Sequence, residues 1–321
     1  MLWIGLVFVI NYQRNNLPAP RPAVDTQGRP QPSEAFAREV TYQLSHDYGM
    51  RVLGTQALDD SMDYLLARLY DLKHRASALD HDHGHDDPTQ VPDFDITTQY
   101  ADGSHLFEIM GQPVVKMFSN ITNIAVRIGC GAACNAHTIL MNGHVDSTIV
   151  SPGASDDAAT IGVMLDMVRL YSLKPRSYYK NAIVFLFNGA EESLQDASYA
   201  FVTQHPFSAS VRTVLNMDSM GSSGKALLFQ ATAPEVIRAY ARVPYPHASV
   251  ASSDVFKTGI IVSDTDFRQF EAYGHLRGID TAFYRNSYLY HTLLDLEHNI
   301  ERGSIQALAE NSAVLLDVLA T

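Results

Sequence analysis

The chain has 321 residues, 46% hydrophobic and 18% charged, which is enough for one large α/β domain or two smaller ones with an ample core. A formal net charge of −12 makes a polyanion such as nucleic acid a poor partner, while an acidic surface suits a protein that concentrates cations. Cys130 and Cys134 are the only cysteines, so no second pair exists to complete a thiolate zinc site.

Residues 1–10, MLWIGLVFVI, are apolar throughout, yet a bilayer crossing needs roughly 20 residues. They lack a basic n-region and a cleavage site, which argues against a signal peptide. Residues 1–12 read as the end of a membrane span, with a hydrophobic extension as the plainer alternative. Residues 13–32, rich in Pro, Asn and Arg, suit a linker leaving such a span. A single domain is expected over 33–321.

Phe36, Val40 and Leu44 recur at helical spacing behind Ser33, a plausible cap, and predict a helix over 33–47. Met62, Leu65, Leu66, Leu69 and Leu72 share one stripe of a longer helix over 59–77. HDHGHDDPTQ (81–90) then breaks the pattern. Its alternating His and Asp invite a metal-site reading, but no rigid element frames them, and a solvated insertion is expected. The sequon Asn120-Ile121-Thr122 is a candidate glycosylation site compatible with a lumenal or extracellular face. Strands are predicted over 123–129, 137–143, 181–189, 211–217, 225–232 and 279–285. Between the first two, Cys130 and Cys134 flank a Gly-Ala-Ala turn and permit a small-loop disulfide in an oxidising compartment, or stay as buried thiols. Helices are predicted over 156–173, 197–205, 233–243, 264–274 and 302–320. This alternation argues for an α/β fold, a three-layer sandwich with a central mixed, mostly parallel sheet flanked by helices.

In such sheets ligands collect beyond the carboxyl ends of the strands. His144 and Asp146 follow TILMNG, Glu191 and Glu192 follow IVFLFNGA, Asp218 follows VRTVLNM, and His291 lies beyond TAFYR. Asp156 opens the helix after the first of these strands. Two imidazoles and three carboxylates, with no thiolate, suit two zinc ions, with manganese or cobalt as substitutes. Two close metals need a shared ligand; a carboxylate can bridge and an imidazole cannot. Asp156, on a turn that Gly153 permits, is the candidate bridge. Neighbouring Glu191 and Glu192 point different ways, so one can bind metal while the other takes a proton from metal-bound water and returns it to a leaving amine. Asp146 is placed to hydrogen-bond the second nitrogen of His144. Tyr290 is placed to donate to the oxygen of a tetrahedral intermediate. Arg285 either meets a substrate carboxylate or pairs with a nearby acid. GSSG (221–224) lacks the lysine of a phosphate loop and reads as a turn.

The ordered motifs GHVDS, PGASDDAAT, NGAEE, NMDSMG and YHTLLD resemble the di-zinc aminopeptidase family that also contains glutamate carboxypeptidases and transferrin-receptor-like proteins. The resemblance covers roughly residues 100–320. It implies one zinc on His144 and Asp218, another on Glu192 and His291, Asp156 bridging, and Glu191 as general base. It also implies that SDTDF (263–267) builds part of the substrate pocket with Asp264, Asp266 and Phe267. The implied activity is aminopeptidase hydrolysis of peptide or protein substrates. Alternatives are a non-catalytic interaction domain of a membrane protein and a glutaminyl-cyclase-like enzyme. Within the family the chain looks like the membrane peptidases of the endoplasmic reticulum, with vacuolar relatives as the alternative. That implies a lumenal peptidase domain after a first membrane span, here truncated, in a fragment or short form of a longer protein.

Overall fold

The computed structural model describes residues 2–82, 91–109, 111–258 and 264–321. Helix α1 (Leu2–Asn15) is apolar over its first turns and leaves Trp3, Val7 and Phe8 exposed. It has 14 residues, and no helix among the described residues is long and apolar enough to cross a membrane. The segment after it is not a free linker. Its Arg21 N–H donates to Gln306 Oε1 at 2.9 Å, and the Ser33 hydroxyl donates to Arg21 O at 2.8 Å.

Ser33 caps α2 (Glu34–Tyr42), accepting the Phe36 N–H at 3.1 Å, and a π-helical turn over Gln43–Tyr48 prolongs it. Helix α3 (Gln56–Asp82) is longer than expected and buries Met62, Leu65, Leu69 and Leu72. The His- and Asp-rich stretch from residue 83 to 90 lies outside the described residues.

Strands β1 (Asp93–Ile109) and β2 (Gln112–Gly129) form a long antiparallel hairpin. Only its inner end, 123–129, was expected, where β2 is most continuously buried; Phe118 and Ile121 are buried beyond it. The single turn α4 (Ala132–Asn135) carries Cys134, which is joined to Cys130 as a disulfide with Cα atoms 5.6 Å apart. Then follow β3 (Thr138–His144), α5 (Ala159–Tyr171), β4 (Ala182–Asn188), α6 (Asp196–Gln204), β5 (Val211–Ser219) and β6 (Leu227–Ala231). The chain closes with α7 (Pro234–Tyr240), α8 (Val250–Lys257), α9 (Phe267–Ala272), β7 (Arg277–Phe283) and α10 (Ser304–Ala320).

The sheet order is β1-β2-β4-β3-β5-β7-β6. The four inner strands β4, β3, β5 and β7 are mutually parallel, while β1, β2 and β6 join antiparallel at the margins. Parallel pairing is thus confined to the centre, and half of the six pairings are antiparallel. Both β3 and β4 are buried at every position, as strands covered on two faces must be. Their side chains alternate between two cores. Ile139, Met141, Phe185 and Phe187 meet α2, α3, α5 and α10, whereas Leu140, Val184 and Leu186 meet Phe201 of α6 and Phe270 of α9. Gly162 lets α5 and α2 touch, since a Cβ there would lie 2.4 Å from Ala37 O. Buried Glu34 accepts the N–H groups of Gly303 and Gln306 at 2.8 and 2.9 Å, placing a carboxylate at the positive end of α10.

Candidate metal centre

Parallel strands aligned in register deliver their carboxyl ends to one edge. His144 ends β3 opposite Asn188 of β4, and Asp218 lies near the end of β5. His144 Nε2 lies 3.1 Å from Asp156 Oδ1 and 3.6 Å from Asp218 Oδ1. His291 Nε2 lies 2.9 Å from Asp156 Oδ2 and 3.4 Å from Glu192 Oε1. Two groups result, His144–Asp156–Asp218 and Asp156–Glu192–His291, each offering ligand atoms within 4.8 Å of one another. Asp156 belongs to both, with one oxygen turned to each imidazole.

The local chain is built to hold Asp156 there. Gly153 sits at φ 60°, a left-handed conformation, and leads into the turn Ala154–Ala158; the Asp156–Asp157 peptide is cis. Asp295 grips this turn from the far side of the site. Its Oδ1 accepts the Ser155 N–H at 2.9 Å and the Ser155 hydroxyl at 2.6 Å, and its Oδ2 accepts the Asp156 N–H at 3.2 Å. Asp157 Oδ2 accepts the His144 N–H at 3.1 Å. Beneath the same loop, fully buried Arg51 donates to the carbonyls of Leu44, Gly49, Val145, Pro152 and Gly153.

Asp146 does more than approach the imidazole as expected. Its carboxylate accepts the N–H groups of Glu191 and Glu192, both at 3.0 Å, and so fixes the loop that carries them. The second nitrogen of His144 meets the Asp146 backbone carbonyl at 3.0 Å, while the nearer carboxylate oxygen is 3.5 Å away.

Negative charge is in excess at this edge. Burial, reinforced by Asp218, pushes the Glu191 carboxyl well above its usual range. Burial and the neighbouring Asp156 raise Glu192 to about 7. Burial also raises Asp218. Asp156 is the exception: burial opposes ionisation, yet the two imidazoles hold it at about 2. Burial alone would depress both imidazoles, but carboxylates outweigh it and raise His144 well above its usual value and His291 to about 10. Glu192 Oε1 is buried without a hydrogen bond. An orphaned carboxylate oxygen among nitrogen and oxygen donors, with no thiolate, fits zinc or a similar divalent cation.

The remaining expected residues divide. Tyr290 stacks on His291, with ring centroids 3.6 Å apart, and burial followed by Asp156 and Asp218 keeps its hydroxyl protonated. Of the SDTDF segment, described over 264–267, residues 265–267 are buried and Asp264 is half-buried. Phe267 is 1% exposed and packs with Phe270 in the core, because α9 needs that face to cover the sheet. Asp266 is buried and accepts the amide groups of Asn142 and Asn188 at 2.9 and 2.6 Å. Asp264 pairs with Arg268 at 3.4 Å. Arg285 pairs with Glu301 at 3.1 Å, the plainer of its two expected roles. Asn120 is exposed on β2. Sequence reasoning missed Arg51, Asp157 and Asp295. The last two stand inside quoted motifs, so a signal was present; Arg51 had none.

The model of peptidase family M28 matches residues 123–316. The putative endoplasmic reticulum metallopeptidase 1 of Schizosaccharomyces pombe is 42% identical over 297 residues, which are 92% of this chain and 35% of that protein. The endoplasmic reticulum metallopeptidase 1 of Homo sapiens is 40% identical over 230 residues, 70% of this chain and 25% of its own length. The chain therefore spans about a third or less of the length of these relatives. Among solved structures, a zinc aminopeptidase from Bacillus subtilis shares the fold, with a TM-score of 0.64 at 14% identity, covering 89% of this chain and 95% of that one. With the family pattern matched over more than half of its length, and with a relative 42% identical across nearly all of it, this chain belongs to peptidase family M28.

Proposed function

We propose that the chain is a two-zinc aminopeptidase that removes N-terminal residues from peptides, with Glu191 as general base. The observation that carries this reading is the sharing of Asp156 between two ligand groups. His144, Asp156 and Asp218 would hold one cation; Asp156, Glu192 and His291 would hold the other. Bound there, divalent ions supply Lewis acidity, polarising the scissile carbonyl and acidifying water.

The chain's own groups do the rest. Glu191, which belongs to neither ligand group, would take the proton of the attacking water and pass it to the leaving amine. Asp146 keeps Glu191 and Glu192 in register by holding both backbone N–H groups. Tyr290, protonated beside His291, donates to the oxygen on which negative charge develops.

The named relatives, the exposed apolar α1, the Asn120 sequon and the Cys130–Cys134 disulfide together support a domain facing the lumen of the endoplasmic reticulum, tethered at its N-terminal end. Hydrolysis of unblocked leucine amide, with and without a chelator, tests the reading. Loss of turnover on chelation and on N-acetylation of the substrate is expected. Full activity of Glu191→Gln rejects the mechanism, and metal analysis finding no bound ion rejects the site.

A further inference from the structure

The central strands carry a buried polar row one pleat below the candidate metal centre. Asn142 of β3, Asn216 of β5 and Asp280 of β7 are lateral neighbours in the sheet, and Asn188 ends β4 opposite His144. Each is at most 1% exposed, as is Asp266, which precedes α9. Asp266 Oδ2 accepts the side-chain amides of Asn142 at 2.9 Å and of Asn188 at 2.6 Å. The Asn142 amide also donates to Asn216 Oδ1 at 2.8 Å, and the Asn216 amide donates to Asp280 Oδ1 at 2.9 Å. Asp280 Oδ2 completes the row, accepting the Thr265 hydroxyl at 2.5 Å and the side-chain amide of Gln230 in β6 at 3.2 Å.

Folding alone does not ask for this row. On the same sheet face the preceding positions are Leu140, Leu186 and Val214, which pack in one core with Phe201 and Phe270. Apolar side chains at 142, 188 and 216 would extend that core without the cost of burying amides and a carboxylate. Leucines, however, have no direction, whereas each hydrogen bond of the row fixes one strand against the next. Its placement supplies the use. Side chains two apart on a strand share a face, so Asn142 stands behind His144 and Asn216 behind Asp218. Asn188 Oδ1 accepts the Ala190 N–H at 2.9 Å and so sets the turn that leads to Glu191 and Glu192.

We infer that Asp266 is a positioning residue for the metal centre: through Asn142, Asn188 and Asn216 it fixes how the ends of β3, β4 and β5 present His144, Glu192 and Asp218. This rests on the two-metal reading of those residues. Asp266 acts through the three amides, and what matters is its shared acceptor oxygen rather than its charge.

The experiment titrates zinc into chelator-treated protein against a chelating dye and records the Tm of the metal-free form alongside. Asp266→Leu removes the shared acceptor, and zinc affinity should fall by about 10–100-fold. Asp266→Asn keeps an oxygen that both amides can reach and should retain most of the wild-type affinity. Asn188→Leu/Asp266→Leu removes a donor together with its acceptor, which preserves the fold, and should bind zinc as weakly as Asp266→Leu. Phe270→Leu, in the apolar core on α9, controls for destabilisation: it should lower Tm and leave zinc affinity unchanged. Wild-type affinity in a folded leucine variant at position 266 overturns the positioning role. A loss in Asp266→Asn as large as in Asp266→Leu assigns the effect to charge and overturns it too, as does an equal loss in Phe270→Leu. Should neither leucine variant at 266 fold, Asn188→Ala decides by the same titration: weaker zinc binding supports the role and wild-type binding overturns it. Absence of zinc from the wild type rejects the metal centre and this inference with it. Zinc bound without turnover of leucine amide rejects only the peptidase reading, and the titrations still decide the role of Asp266.

Discussion

Asp156 presents Oδ1 to His144 Nε2 at 3.1 Å and Oδ2 to His291 Nε2 at 2.9 Å, joining residues that enter from opposite ends of the domain sequence. Asp156→Asn replaces one of these oxygens with an amide donor, which cannot ligate a cation. Elemental analysis should show bound zinc falling from two ions per chain to one or none, and leucine amide turnover should fall by at least about a thousandfold. Retention of two ions by the variant would contradict the bridge. In the wild type, chelation should lower Tm, because a ligand that binds only the folded state stabilises it by about 2.7 kcal/mol at a hundred times its Kd.

The proposed mechanism gives the neighbours Glu191 and Glu192 different work. Glu191→Gln should lower kcat by about 10²–10⁴-fold with metal content unchanged. Glu192→Gln should lower metal content, since its Oε1 is the orphaned oxygen of the second group. Parallel measurement of kcat and zinc in the two variants separates the roles. Equal loss of zinc in both would show that the pair is not divided in this way.

Most of this centre was legible because strands ending at one edge bring their next residues together whatever lies between them. His144, Asp156, Glu192, Asp218 and His291 follow from that rule and from the ordered motifs. Other parts left no trace of their partners. Arg51 binds five backbone carbonyls, and carbonyls carry no residue identity. The outer half of the β1–β2 hairpin was missed because its buried face includes His105 beside Phe107 and Phe118 while Leu106, Val115 and Met117 are exposed, so hydropathy there does not follow burial. Phe267 was misplaced in a pocket because an aromatic residue beside two acids reads alike whether its ring meets substrate or core.

Arg51 makes a stability prediction. Burial lowers its pKa to about 10, so it stays charged at neutral pH, and its guanidinium satisfies carbonyls on both sides of the 145–153 loop. Arg51→Met preserves the aliphatic bulk and strands those acceptors. The expected loss is on the order of 3–5 kcal/mol, seen as a fall in denaturant midpoint. Metal affinity should weaken too, because His144 and Asp156 flank the freed loop. A midpoint within error of the wild type would remove Arg51 from this role.

His205 sets a pH dependence away from the metal centre. Its Nδ1 accepts the Phe207 N–H at 3.1 Å and its Nε2 lies 3.0 Å from Thr97 Oγ1, which fixes the neutral ring with its proton on Nε2. Burial, and then the cation of Arg127, lower its pKa from 6.5 to about 4. Between those values the unfolded chain binds a proton that the folded chain refuses, so stability falls as pH drops from 6.5 to about 4 and the loss levels off below that. The full shift corresponds to about 3 kcal/mol, and solvent near the end of α6 reduces it to about 1–2 kcal/mol. His205→Asn keeps an acceptor for the Phe207 N–H and removes the titration. The difference in unfolding free energy between wild type and variant, measured from pH 7.5 to 4, should therefore move against the wild type as acid is added. A difference that stays constant across that range would mean that His205 takes up its proton equally well in both states.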